Sequence, residues 1–383
     1  MISLLLYQLT GIHLFEDRTF RAGAAFFLAT ALVFLGMPWW IRFLKRYNAT
    51  SDFEQGKREP PPILGGMMLV FAVLLTSLCF AQLNAYSVST LIILVTYAAV
   101  GAVDDLAKIR NKRLVALGKM SRADYQAKAD GISARVRLLL YLGLSFVIAI
   151  FAYKFIPGLT GQISVPFVKP EIWFPSLPNW AFIILMTLVI TSTANGANFT
   201  DGLDSLVSVP LITTSLFAGV VAYFSGNVVF ARYFLIPHLP GADELFPICM
   251  SLVGALSAYL WYNSPPAEIY MGDTGAIGLG GAVGIIFVLL KIELFLPIVG
   301  VVLVVELLSV ALQITGFKLT RRLSADGQGA RLLLRAPYHH HLQLKWQGRF
   351  DSPQAVNSKI IWRFHLISIF TLGLGLLIFF KIR

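Results

Sequence analysis

Ten mostly apolar stretches run through the chain, at roughly residues 22–44, 64–84, 86–103, 138–156, 180–197, 205–224, 245–263, 275–291, 294–317 and 360–380. Each approaches the ~20 residues that a helix needs to cross a bilayer. Open sheets cannot satisfy their edge groups in lipid, so these segments are expected to be helices. The pattern predicts an all-α, polytopic integral-membrane protein with about ten transmembrane helices. Residues 1–383 form a single integral-membrane domain, with no soluble stretch large enough to hold its own core.

The polar positions are as informative. Spans 3, 5, 7 and 9 each run into a polar cluster: Asp104-Asp105, Asn195 to Asp204, Asn263 to Asp273, and His339-His340-His341. Odd-numbered spans all exit on the same side, so parity brings the four clusters to one face. Carboxylates at membrane depth are costly and usually functional. An active site at a membrane surface follows.

Composition agrees: 57% of the 383 residues are hydrophobic, 13% are charged, and mean hydropathy is +0.73. The net charge of +11 could suggest nucleic acid, but its distribution speaks against that partner. Most of the 31 Lys and Arg residues lie on the cluster face, in runs from Arg42 to Arg58, Lys108 to Arg137 and Lys318 to Arg363. The positive-inside rule makes that face cytoplasmic and places both termini outside. The same charge would attract an anionic substrate and the headgroups of membrane lipids. Cys79 and Cys249 lie within spans, which implies no disulfide framework or zinc site. Met1 to Phe15 reads as an interfacial segment, and Gly278, Gly280, Gly281 and Gly284 as a close-packing surface on span 8.

Paired carboxylates such as Asp104 and Asp105 bring a divalent metal or create a base. If the helix continues past them, Lys108 shares a face with at least one of the pair. In the second cluster, Asn195, Asn198, Asp201 and Asp204 flank Gly202, which permits a sharp turn. Capping of span 6 by Thr200, Asp201 or Asp204 would explain one of these residues, not four. Asp273 stands at the start of span 8, where anions and metal-bound phosphates gather, although an N-cap would also use Asp there. The His triplet is read as extended, so its side chains would alternate and could not all ligate one ion. Oxygen-rich partners favour Mg²⁺ over zinc. The histidines are therefore expected to contact phosphate or sugar, or to handle protons. Glu306, inside span 9, is set apart from the site as a packing or helix-break residue.

Together, Asp104-Asp105-x-x-Lys108, Asn195-x-x-Asn198-x-x-Asp201-Gly202-Leu203-Asp204, Met271-Gly272-Asp273 and Pro337-x-His339-His340-His341 resemble the phospho-N-acetylmuramoyl-pentapeptide transferases. The first three motifs belong to the wider polyprenyl-phosphate sugar-1-phosphate transferases, and the His element points to the muramoyl branch. The resemblance implies a ten-helix fold, usually homodimeric, in the bacterial cytoplasmic (inner) membrane. It also implies Mg²⁺-dependent transfer of phospho-N-acetylmuramoyl-pentapeptide from its UDP carrier to undecaprenyl phosphate, giving lipid I and UMP.

By the same resemblance Asp273 is the principal metal ligand, with Asn198 beside it. Asp104 and Asp105 activate the lipid phosphate or assist the metal, and Asp201 joins the catalytic acids. Asp204 and Tyr270 hold uridine, while Lys108, Asn195, Asn263 and His339 to His341 contact substrate. The chain departs from the family at Tyr270 (usually Phe), Ser205 (usually Gly) and Gln343 (commonly Glu). Its first cytoplasmic loop is shorter, and Lys57 or Arg58 stands in for the usual lysine. Two rivals remain: a transferase for another UDP-amino sugar such as UDP-N-acetylglucosamine, and a transporter. Transporters place binding residues near the midplane and often carry internal repeats. One-step attack and a phospho-aspartyl route both stay open.

Overall fold

A computed structural model describes residues 2–50, 60–120, 133–168, 175–324 and 328–381. Its helices are α1 (Ile2–Thr10), α2 (Arg18–Arg46), α3 (Gly65–Phe80), α4 (Ala85–Ala116), α5 (Ala134–Phe155), α6 (Asn179–Thr200), α7 (Ser208–Gly226), α8 (Val228–Phe234), α9 (Leu245–Asn263), α10 (Gly272–Leu289), α11 (Leu296–Val299), α12 (Val301–Leu323), α13 (Tyr338–Lys345) and α14 (Pro353–Lys381). No strand is present among the described residues beyond two isolated bridges. The expected all-α membrane fold is observed.

Nine of these helices are long and apolar enough to cross a membrane, and α3 is shorter at 16 residues. Contacts at its two ends show that α3 nonetheless runs from one end of the bundle to the other. Beyond the end of α2, Thr50 accepts from Lys112 Nζ near the end of α4, at 3.1 Å. On the opposite face the start of α2 meets the end of α3, through Arg21 Nη1 to Phe80 O at 3.0 Å. Gln82, between α3 and α4, donates to Glu244 at the start of α9. The C-terminal ends of α2 and α4 therefore share a face, as parity requires.

Local sequence sets several of the starts. Asp17 accepts from the Thr19 and Phe20 N–H groups and caps α2. Asn84 and Ser87 form a reciprocal capping box on α4, satisfying donors that a helix cannot satisfy itself. At the centre stands α10, buried from Thr274 to Leu289. Its glycines let neighbouring backbones close in: a methyl group on Gly278 or Gly281 would run into Ala98 or Tyr97 of α4. One on Gly280 or Gly284 would meet α6 at Ala197 or at Ile190 and Thr193. The close-packing reading of this glycine set holds.

Two expectations need correction. The helix of span 3 does not stop with the apolar stretch at residue 103. The helix runs on to Ala116, for a total length of ~48 Å at 1.5 Å per residue, so Asp104 and Asp105 sit within it. The His triplet is not extended either, because Tyr338–Lys345 is helical and begins just after Pro337. Proline suits that position, since its missing N–H would be unpaired there anyway. The readings of Lys57 and Arg58 lie outside the described residues.

Candidate active site

The helix that continues past Asp104 places Lys108 one turn on, and its Nζ lies 2.9 Å from Asp104 Oδ2. The same Nζ reaches Asp273 Oδ2 at 3.1 Å. Arg137, on the first turn of α5, bridges the same two oxygens at 2.9 and 2.7 Å. From α6, Asn198 Nδ2 donates to Asp273 Oδ1 at 2.8 Å. Four helices thus converge on Asp273. Asp104 is fully buried, and a charge so placed requires partners of this kind.

Asp105 points elsewhere. Its Oδ1 accepts from the Asp273 N–H at 3.2 Å, and its Oδ2 from the Thr274 N–H at 2.9 Å and the Thr274 hydroxyl at 2.6 Å. No side chain from the residue preceding α10 caps that helix. Asp105 supplies the missing acceptor from α4, at the positive end of the helix dipole. Asp273 itself does not cap: its oxygens face Asn198, Lys108 and Arg137.

The backbone beneath is drawn tight by glycine. Gly65 and Gly66 N–H groups donate to Tyr270 O and Met271 O at 2.9 and 2.8 Å, and Tyr270 N–H donates to Pro62 O at 2.9 Å. A methyl on Gly66 would stand 2.2 Å from Gly275 N, and one on Gly101 would stand 2.5 Å from Asp273 O. Pro62, at the described end of the divergent first loop, thus anchors Tyr270.

The second cluster forms the turn from α6 to α7. None of its side chains caps α7. Asp201 accepts a backbone hydrogen bond from Gly272, and burial, then the carboxylates of Asp273 and Asp105, push its carboxyl well above the usual range. Asp204 Oδ2 accepts from Ala267 N–H at 3.0 Å. Asn263 ties two loops together: its Oδ1 accepts from Ser205 N–H at 2.8 Å and its Nδ2 donates to Ile269 O at 2.9 Å. Ser205 has φ +63°, a region that costs most side chains, which accounts for the family's glycine there. Asn195 donates to Thr191 O of its own helix.

The His element joins through a residue set apart in the sequence reading. Glu306 Oε1 accepts from the His339 N–H at 3.0 Å, and Glu306 Oε2 lies 3.2 Å from His339 Nδ1. Both residues are fully buried. His339 in turn packs on Gly202. His340 Nδ1 lies 2.6 Å from Gln343 Oε1, and Gln343 donates to Asn357 at 2.8 Å. Burial lowers the His340 pKa against the opposing pull of Gln343. His341 Nδ1 accepts from Leu334 N–H at 3.2 Å and so holds the preceding loop.

Asp104, Lys108, Asn198 and Asp273 therefore meet directly. Asp105 and Asp201 join them at the start of α10, and His339 joins through the Gly202 turn. Sequence reasoning missed Arg137 and misplaced Glu306. Arg137 is one basic residue within a long basic run. Glu306 gave the stronger signal, as a carboxylate inside a span.

Among the described residues, no three His, Cys, Asp or Glu side chains lie close enough to hold a metal alone. Mg²⁺ commonly takes one or two carboxylates and completes its shell with water and substrate phosphate. Asp273 Oδ1 fits that pattern, with Asn198 adding its oxygen once its amide, which here donates to Asp273, is turned; Asp273 Oδ2 is taken by Lys108 and Arg137.

Residues 87–291 match the family profile of glycosyl transferase family 4. Over 373 residues the chain is 35% identical to the phospho-N-acetylmuramoyl-pentapeptide-transferase of Campylobacter curvus (strain 525.92), with 95% of each chain covered. It is 36% identical to that of Chlorobium phaeobacteroides, covering 94% of this chain and 92% of the relative. The Helicobacter pylori (strain HPAG1) enzyme of the same name is 34% identical, with both chains covered in full. The converging acids, the Gly202 turn and the His element thus sit in a chain that belongs to the phospho-N-acetylmuramoyl-pentapeptide transferases, within glycosyl transferase family 4.

Proposed function

We propose that this protein transfers phospho-N-acetylmuramoyl-pentapeptide from UDP-N-acetylmuramoyl-pentapeptide to undecaprenyl phosphate, forming lipid I and releasing UMP. The observation that carries the reading is the meeting of Asp104, Lys108, Arg137, Asn198 and Asp273 at one helix start. Two anionic phosphates must approach each other in this reaction, and fixed cations offset that repulsion without reorganising. Lys108 and Arg137 supply that charge. Asp104 and Asp273 hold the two cations in place between them.

Asp273 and Asn198 would hold Mg²⁺, which when bound withdraws charge from the diphosphate. Asp201, Asp204 and the Tyr270 loop form the neighbouring wall, suited to the neutral, donor-bearing parts of the nucleotide sugar. One substrate is soluble and the other is confined to lipid, so a site at helix ends is where both can arrive. The basic runs on the site face support a cytoplasmic orientation in a bacterial inner membrane. By family resemblance the protein is a homodimer.

The test is incubation of purified protein with both substrates and Mg²⁺, followed by assay of UMP and lipid product. Turnover of UDP-N-acetylglucosamine with none of UDP-N-acetylmuramoyl-pentapeptide would transfer the case to another sugar. Omission of Mg²⁺, or chelation, is expected to stop the reaction.

A further inference from the structure

Glu306 lies in a span and has no part in the reaction given above, yet among the described residues it alone hydrogen-bonds the Nδ1 edge of His339. Its two oxygens take two bonds from that one residue, the backbone N–H at 3.0 Å and the ring Nδ1 at 3.2 Å. The other ring nitrogen, Nε2, is buried and has no hydrogen-bond partner among the described residues. An unmade buried hydrogen bond is a cost that native proteins rarely carry without a use. Gly202 covers this nitrogen, so closely that a methyl there would stand 2.3 Å from Nε2. On its other side Gly202 is exposed, and Asp201 and Asp204 flank it.

We propose that Glu306 is a positioning residue: it fixes His339 so that Nδ1 carries the proton and Nε2 is left to accept a hydrogen bond from the nucleotide-sugar substrate at the Gly202 turn. The inference rests on the transferase reading above. A carboxylate accepts only, so the ring nitrogen facing it must be the donor, and the tautomer follows. The substrate group that meets Nε2 is then an O–H or N–H, not an oxygen of the diphosphate, which is ionised at neutral pH and has no proton to donate. That division matches the rest of the site. Acceptors gather around Gly202, and cations gather around Asp273. Binding shifts the Gly202 turn off the imidazole and gives Nε2 the partner that it lacks.

Glu306→Gln keeps the shape but turns an amide N–H₂ toward Nδ1, which forces the proton to Nε2 and sets a donor against a donor. The expected result is a KM for UDP-N-acetylmuramoyl-pentapeptide raised about 10-fold or more, with kcat less affected. Mn²⁺ affinity, read by electron paramagnetic resonance, should stay unchanged. Glu306→Asp, which retains the carboxylate, should recover part of the loss.

The tautomer is read directly by nitrogen NMR of ¹⁵N-histidine-labelled protein in nanodiscs, with the His339 signals assigned by their loss in His339→Gln. Wild type should show a protonated Nδ1 and a bare Nε2 whose signal moves when the nucleotide sugar is added. A protonated Nε2 in wild type, or a wild-type KM in Glu306→Gln, overturns the proposal. If Glu306→Gln does not fold, the wild-type spectrum decides alone. Failure of wild type to turn over the muramoyl substrate would overturn the transferase reading, whereas normal wild-type turnover with a wild-type KM in the variant overturns only this one.

Discussion

Asp105→Asn separates a structural carboxylate from a catalytic one. Asp105 receives three bonds at the start of α10: from Asp273 N–H at 3.2 Å, Thr274 N–H at 2.9 Å and the Thr274 hydroxyl at 2.6 Å. Asn keeps one oxygen, enough to serve Thr274 or Asp273 but not both, and its amide faces a donor at the other position. Hydrogen bonds to a charged group contribute about 1.5–3 kcal/mol each, and at least one is lost. The negative charge at the helix N-terminus adds roughly 0.3–1 kcal/mol. The variant should therefore be destabilised by ~2–4 kcal/mol, with no large relaxation to soften it, because Asp105 is 1% exposed.

The assay is thermal unfolding of the purified protein in one detergent, beside Asp104→Asn as the comparison. Asp104→Asn leaves Lys108 and Arg137 paired with Asp273, so its Tm should fall much less while its turnover collapses. Asp105→Asn should lose stability and, because Asp273 is displaced with its backbone, activity as well. An unchanged Tm in Asp105→Asn together with lost turnover would refute the capping argument and return Asp105 to the chemistry.

Asp273→Asn should abolish turnover and Mn²⁺ binding while the protein stays folded. Near-normal kcat with only a lower Tm would make Asp273 a structural residue. If Asp104 is a general base, Asp104→Asn should be severely impaired at pH 7 and partly rescued by pH 8–9, since a phosphate with a second pKa near 6 ionises there unaided. A flat, dead profile, with UMP released by wild type in the absence of lipid acceptor, would favour a phospho-aspartyl route. On the opposite face, burial pushes Glu293 up to about 7, above its ordinary ~4.3. Its folded form holds the proton longer, so stability is fullest below pH ~4 and is lost as pH rises from there through 7, by roughly 4 kcal/mol in total. Glu293→Gln should match wild type in Tm at pH 4 and exceed it at pH 8; equal Tm values at both would remove the burial argument. Cysteines placed at Gln328 and Gln162 should react with an impermeant reagent from the cytoplasmic side and the outside, respectively, and labelling of both from one side would break the parity on which the site rests.

Much of the site was readable because it is local or follows from counting. Lys108 meets Asp104 because four residues make about one helical turn. The clusters share a face because successive spans alternate direction. The apolar lengths determined the spans, apart from their ends. Span 3 overran its predicted end because Asp and Lys are no bar to a helix once it has left the lipid. The His triplet was misread because a short helix leaves little periodic signal.

The pairings across the bundle were decided by tertiary structure alone. Arg137 and Asp273 are 136 residues apart, Asp105 and Asp273 168, and His339 and Glu306 33. Each depends on how a helix is rotated about its axis. In a soluble protein the polar face of a helix declares that rotation. In lipid both faces are apolar, because the hydrocarbon outside is as oily as the core within. The sequence alone thus determined which residues stand at the membrane surface, and only the packed bundle decided which of them touch.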